Sequence, residues 1–274
     1  RQPLHATVAN ILAHWNNPHP PAIWAPGASG VGFPEFARQN AIDILGRSVV
    51  PRLWVGNAVT APTHYDMSDG VACVATGRRR FTFFPPDQLL NLYVGPLDLS
   101  PGGVPTSMVK VSAPDLERYP NFAKALAAAE TAELEAGDAV FIPNYWWHNV
   151  DSLDPLNLLV NYWWVDYSRG PASPFAALAL GLLSITALPP SRRELWRKMF
   201  DHYVFQTDGD PVPYLPPDRR GMLGPMNPRL ENYMRTQVVR SITKSLPKPL
   251  REQIQRWMES AAPSVDSEMP YGND

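Results

Sequence analysis

The sequence predicts a mainly β protein with added α structure: a sandwich or barrel of short strands, followed by a helical region. Three observations carry that expectation. From Val49 to Trp164, short runs rich in β-branched and aromatic residues alternate with Gly, Pro and Asp turns. Proline is abundant, 31 of 274 residues, at about twice its ordinary share; this favours short elements joined by fixed turns. After Gly170 the apolar residues recur at helical spacing instead.

In chain order, residues 1–48 read as a helical and loop region packing on the core. LHATVANILAHW puts Val8, Ile11 and Leu12 on one side of a short helix. PPAIWAPGASGVGFPEF is a Pro/Gly-rich loop, and Phe36 to Leu45 reads as a second helix. The strand runs are RLWVGN, GVACVA, RRFTFFPP, DAVFIP and LNLLVNYWW, within a core of residues 49–168. An insertion at about 87–132 interrupts them, with the loop LDLSPGGVPTS and an Ala-rich helix around Asn121 to Glu130. Phe175 to Leu188, FAALALGLLSITAL, is apolar all round. It falls short of the roughly 20 residues of a bilayer span and is expected as a buried or interface helix. Ser191 with Glu194 three residues on reads as a capping box. Further helices are expected over 228–246 and 249–260, and a flexible tail over 261–274.

Composition excludes several classes. A formal net charge of -2 argues against a dedicated nucleic-acid binder. The single cysteine, Cys73, rules out an internal disulfide and a multi-cysteine zinc site, and fits a reducing, cytoplasmic setting. It reads as a small core residue and not as a nucleophile. No run is long enough for a membrane span, and RQPLHATVANIL lacks the sustained apolar segment of a signal peptide. Neither nucleic acid nor membrane is therefore an expected partner.

The chemistry concentrates in two stretches, APTHYDMSDG and GDAVFIPNYWWHNV. In a strand, residues i and i+2 share a face, so His64 and Asp66 would project together. His148 is placed at the end of a second strand-like run, after the turn at Gly137 and Asp138. Two histidines and one carboxylate on a β scaffold are the facial triad of non-haem Fe(II) oxygenases. Two neutral imidazoles and one carboxylate hold the metal from one side and leave the other side open to reactants. Taken alone, His-x-Asp is as well explained by a turn, and His148 by a satisfied core histidine.

The surrounding text adds a resemblance. THYD, GRRRFTFFPPDQ, APDLERYPNF, AGDAVFIPNYWWHNVDSL and LVNYWW, in that order and spacing, closely resemble the JmjC/cupin-like family of Fe(II)- and 2-oxoglutarate-dependent oxygenases, over about residues 51–164. That family includes the asparaginyl hydroxylase that inhibits hypoxia-inducible factor. The resemblance implies a double-stranded β-helix, or jelly roll. It implies Fe(II) on His64, Asp66 and His148, with 2-oxoglutarate as cosubstrate. It implies that Arg79 stands where the nearest relatives use a lysine for the far carboxylate of 2-oxoglutarate, while Arg78 and Arg80 form a solvated charged turn. By the same resemblance, Asn161 and Trp163 would border the cosubstrate. A hydroxyl usual three residues before the first histidine is here Ala61, with Thr63 as the nearest substitute, although strand alternation turns it away from His64.

The implied activity is hydroxylation, or demethylation, of a protein side chain or small metabolite, with succinate and CO₂ as coproducts. The loop 98–107 is where relatives grip a peptide, and the C-terminal helices are where they form a homodimer. The alternative is a metal-binding cupin-like scaffold or binding protein without turnover, which the changes at Arg79 and Ala61 permit.

Overall fold

The computed structural model describes residues 4–29, 32–44, 47–97, 104–166, 170, 172–244 and 246–261. The chain divides into two compact units, Arg1–Ser168 and Arg169–Asp274.

The first unit is a two-sheet β sandwich. Its strands are β1 (Trp24–Ser29), β2 (Ile42–Ile44), β3 (Arg47–Val49), β4 (Arg52–Gly56), β5 (Thr60–His64), β6 (Asp69–Thr76), β7 (Arg79–Phe84), β8 (Glu130–Leu134), β9 (Ala139–Ile142), β10 (Trp147–Ser152) and β11 (Asn157–Trp164). One sheet runs β1-β4-β11-β6-β9 and the facing sheet β5-β10-β7-β8, while β2 and β3 form a separate small pair. All pairings are antiparallel. Strands four and eleven lie side by side although remote in sequence, and so do five and ten. These crossings are those of a jelly roll.

Alternation along the strands builds the core. Ala72, Val74, Ile142 and Leu159 from one sheet meet Phe81, Phe83 and Val150 from the other. The chain between β7 and β8 covers the outer face of the smaller sheet. There Phe84 and Trp147 pack on Leu92, Val109, Phe122 and Ala125. Helix α1 (Leu4–Ala13) closes one end of the larger sheet, with Ile11 against Ile23 and Val55.

Several expectations change. The stretch read as a Pro/Gly loop contains β1, whose register shifts at a bulge between Ala25 and Ala28. The second helix, α2, covers only Pro34–Asn40, because the chain turns at Ala41 to enter β2. The Ala-rich helix, α3, is Phe122–Ala127, and Glu130 already belongs to β8. His148 does not end the DAVFIP run. That strand stops at Ile142, Pro143 to Trp146 turn the chain, and His148 opens β10.

The second unit holds α4 (Pro174–Ile185), α5 (Pro190–Tyr203), α6 (Pro228–Thr243) and α7 (Lys248–Ala261). Ser173 caps α4 by accepting from the Phe175 N–H. The capping box expected at Ser191 does not form: α5 starts on Pro190, a proline at N1, with no side-chain cap. Helix α4 has no buried residue, and Leu178, Leu182 and Leu183 stand exposed. It is therefore not a buried helix of this chain. The tail over 262–274 lies outside the described residues.

Candidate metal centre

His64 is the last residue of β5, and His148 is paired directly opposite it on β10. Opposed residues of an antiparallel pair share a face. Both imidazoles thus point between the sheets, with ring centroids 4.4 Å apart. Asp66 is not on the strand. It lies in the turn two residues beyond, so period-two alternation is not what brings it to His64. The turn is held instead by backbone, with the Tyr145 N–H donating to the Asp66 carbonyl at 2.8 Å. Tyr145 adopts a left-handed conformation, φ 61°, as the chain turns into β10. His148 Nε2 lies 3.9 Å from Asp66 Oδ2. One donor atom from each of His64, Asp66 and His148 falls within 4.8 Å of the others.

The donor set fits a divalent metal. The His64 Nδ1–H donates to the Pro62 carbonyl at 2.7 Å, and the His148 Nδ1–H to the Trp146 carbonyl at 3.0 Å. Each ring is tied to the carbonyl two residues before it, which fixes the tautomer and leaves Nε2 as the free lone pair. Burial pushes His148 down to about 3, helped by the neighbouring His64, so its imidazole is neutral over the physiological range. Burial raises the Asp66 carboxyl, against which His64, a hydrogen bond from the Trp163 indole and the charge of Arg52 act in the other direction. A bound cation would reverse that cost of burial.

A β-bulge shapes the floor of the site. His148 pairs with His64 but Val150 pairs with Ala61, so β5 carries one extra residue. Ala61 therefore returns to the inner face. Thr63 lies on the opposite face, fully buried, with its Oγ1 lacking a hydrogen-bond partner. This is the face away from His64, as strand alternation implies. The later part of the expected substrate loop flanks the centre: Thr106 forms a β-bridge with His64, and the Ser107 N–H donates to the Thr63 carbonyl at 2.8 Å. Residues 98–103 of that loop lie outside the described residues.

Arg79 shares the inner face of β7 with Phe81 and Phe83. Its neighbours turn outward, Arg78 to Asp154 at 2.9 Å and Arg80 to Glu133 at 2.6 Å. Arg79 is 8% exposed, and no carboxylate among the described residues pairs with it. Its Nε has no hydrogen-bond partner, and burial lowers its guanidinium to about 10. Across the sandwich, Asn161 is buried with its Oδ1 unpartnered, and so is the indole N–H of Trp54. Buried polar groups are nearly always satisfied. Arg79, Asn161 and Trp54, on the two inner faces, are the residues that could hold a polar ligand.

Trp163 also faces inward, opposite Gly70. Of the other aromatics, Trp147 belongs to the outer-face core and Trp146 packs on the inter-sheet core. Cys73 is half-buried, and burial raises its thiol above the ordinary range, away from nucleophile chemistry. Sequence reasoning missed Trp54 and Arg52. Both sit in an ordinary-looking strand, RLWVGN, with no local pattern to distinguish them from core and surface residues.

The chain matches the cupin-like domain over residues 9–169. It is 38% identical over 112 residues to "Lysine-specific demethylase JMJ31" of Arabidopsis thaliana, covering 40% of this chain and 20% of that protein. It is 38% identical over 114 residues to "HSPB1-associated protein 1" of Homo sapiens, with 40% and 22% covered. It is 37% identical over 102 residues to "tRNA wybutosine-synthesizing protein 5" of Mus musculus, with 37% and 29% covered. The matches thus span between a fifth and three tenths of the length of these relatives. With the jelly roll and the His-Asp-His cluster in place, these matches identify the chain as a member of the JmjC-like cupin-like domain family.

Proposed function

We propose that the protein is an Fe(II)- and 2-oxoglutarate-dependent oxygenase acting on a protein side chain or a small metabolite. The observation that carries the reading is Arg79: a buried guanidinium without a counter-ion, on the same sheet face as His148. The register β10–β7 places Arg79 opposite Ser152, four residues deeper than His148 opposite Phe83. A ligand with a carboxylate at each end suits a metal at one level and an arginine at the other. Arginine can take the deeper carboxylate bidentately. Asn161 and Trp54 offer an amide oxygen and an indole N–H on the facing sheet.

His64, Asp66 and His148 would hold the metal, which supplies the activation of dioxygen. The overall reaction balances as C–H + O₂ + 2-oxoglutarate giving C–OH + succinate + CO₂. The chain's own part is to orient and to keep dry. The Pro62 and Trp146 carbonyls hold the two imidazoles, Arg79 aligns the cosubstrate, and Phe81, Phe83 and Val150 exclude water from the floor. An apolar cleft of about 320 Å³, lined by Phe83, Phe141, Pro143 and Trp146 with Glu130 at its edge, adjoins the centre. Phe83 is the shared wall, 6.4 Å from His148 between ring centroids.

A second reading, a metal-binding scaffold without turnover, is favoured by Ala61, which offers no hydroxyl on the inner face beside the cosubstrate. Release of labelled succinate from 2-oxoglutarate separates the two. Fe(II)-dependent succinate formation supports the oxygenase; metal binding with no turnover in the presence of candidate substrates supports the scaffold. The exposed leucines of α4 further support a homodimer through the second unit.

A further inference from the structure

The smaller sheet carries one row of side chains across its inner face. Glu130 of β8 is paired with Phe83 of β7, Phe83 with His148 of β10, and His148 with His64 of β5. Directly opposed residues of antiparallel strands share a face. Glu130 therefore stands level with the two histidines of the metal centre, two strand spacings or about 10 Å from His148. Phe83 lies between them, its ring centroid 6.4 Å from that of His148. The 320 Å³ cleft opens at the Glu130 end of this row, between the edge strands β8 and β9. Its apolar walls include Phe83, Val140, Phe141, Pro143 and Trp146. Phe141 stacks on Trp164, with centroids 6.0 Å apart, and is still 54% exposed. The two carboxylates of β8 differ. Glu133, on the outer face, is paired with Arg80 at 2.6 Å, whereas Glu130 pairs with no cation among the described residues.

We infer that this cleft seats a small organic cation as substrate, its apolar body against Phe83, Phe141 and Trp146 and its positive group at Glu130. Charge complementarity selects that class. Aromatic walls attract cations through their ring faces, and the single charged group of the described lining is an acid without a partner. An anion would be repelled there, and an uncharged ligand would leave Glu130 unused. Size separates a free molecule from a side chain. About 320 Å³ lies at the lower end of small-molecule sites, and one basic side chain reaching in from a peptide would fill only part of it. A ligand anchored at Glu130 and lying along the row reaches the metal centre across Phe83. The substrate role rests on the oxygenase reading above; the charge preference of the cleft does not.

The test is isothermal titration of the full chain loaded with Mn(II) and 2-oxoglutarate. Three probes share a phenyl ring and differ in charge: phenethylammonium, phenethyl alcohol and 3-phenylpropionate. The ammonium is expected to bind about 5–25-fold more tightly than the alcohol, the combined effect of an exposed ion pair and a cation–π contact, and the carboxylate most weakly. Glu130→Gln should remove about fivefold of that preference, and Glu130→Lys should invert it in favour of 3-phenylpropionate. Glu130 is exposed, so both variants are expected to fold, and thermal unfolding checks this. Ala132→Trp, which fills the cleft, should weaken all three probes alike. Bound Mn(II) should also speed the proton relaxation of phenethylammonium. Equal binding of the three probes, a preference that survives Glu130→Lys, or binding unmoved by Ala132→Trp overturns the inference, while Mn(II) and 2-oxoglutarate bound in the same samples leave the oxygenase reading standing. Tighter binding of the peptide Gly-Lys-Gly than of phenethylammonium assigns the cleft to a side chain and overturns it as well. Absence of the relaxation effect overturns the substrate role. Failure of Mn(II) or 2-oxoglutarate to bind overturns the oxygenase reading and the substrate role with it, and the same titrations on the metal-free chain then decide the charge preference.

Discussion

Arg79 stands between two arginines that do the opposite of what it does. Arg78 and Arg80 reach surface carboxylates, while Arg79 turns inward and pairs with none among the described residues. A buried charge without a partner costs stability, a cost that the proposed cosubstrate would offset. Two outcomes follow from Arg79→Met. The cosubstrate-free protein should unfold at higher temperature: replacing even a buried ion pair by apolar groups is often neutral or stabilising by about 1–4 kcal/mol, and Arg79 has no partner to lose. The same variant should bind 2-oxoglutarate about 10–150-fold more weakly, the loss expected for a charge-assisted hydrogen bond, with metal affinity unchanged. Differential scanning calorimetry and isothermal titration check the two halves. At the metal itself, Asp66→Asn and His148→Ala should each abolish stoichiometric binding in a Mn(II) titration, whereas Thr63→Val, on the other face of β5, should leave it intact.

The elements carry the site by register. Gly77 shows how tightly that register is set. It turns the chain from β6 into β7 with φ +77°, and a Cβ there would collide with the Asn157 side chain. Asn157 in turn is fully buried at the start of β11, its Nδ2 donating to the Asp154 and Asn57 carbonyls. Gly77→Ala is expected to destabilise by more than the ~1 kcal/mol ordinarily gained from such a change at a permissive site, measured by urea denaturation. Much at this scale was legible in the sequence. The runs GVACVA, RRFTFFPP and LNLLVNYWW became β6, β7 and β11 because alternating β-branched and aromatic residues suit a half-buried pleat. Glu130–Leu134 escaped notice because ETAEL continues an Ala-rich helical text, and only pairing with β7 makes it a strand. The bulge in β5 was equally hidden. Nothing in TAPTH announces that β10 will oppose two of its residues with one, yet that bulge decides that Ala61 faces inward. His64, Asp66 and His148 could be chosen from residue type and spacing, but the reason for Asp66 was different: a held turn, not an alternating strand.

At the scale of the whole molecule, each unit has its own unfinished surface. The first has buried polar atoms between its sheets that lack partners; the second has an apolar helix, α4, with no buried residue. Light scattering is expected to return about twice the 30.5 kDa of a single chain. Joint replacement of Leu178, Leu182 and Leu183 by serine should return a monomer; a clean monomer from the unaltered chain contradicts the dimer. The account as a whole stands on three remote side chains gathering around one metal, with Arg79 facing the far end of the cosubstrate. A crystal soaked with Mn(II) and 2-oxoglutarate tests that most directly. The account predicts density for one ion bonded to Nε2 of His64 and His148 and to the Asp66 carboxylate, with the ligand running from the ion to the Arg79 guanidinium. An ion bound elsewhere, one enclosed on all sides by protein atoms, or a ligand lying clear of Arg79 would contradict it.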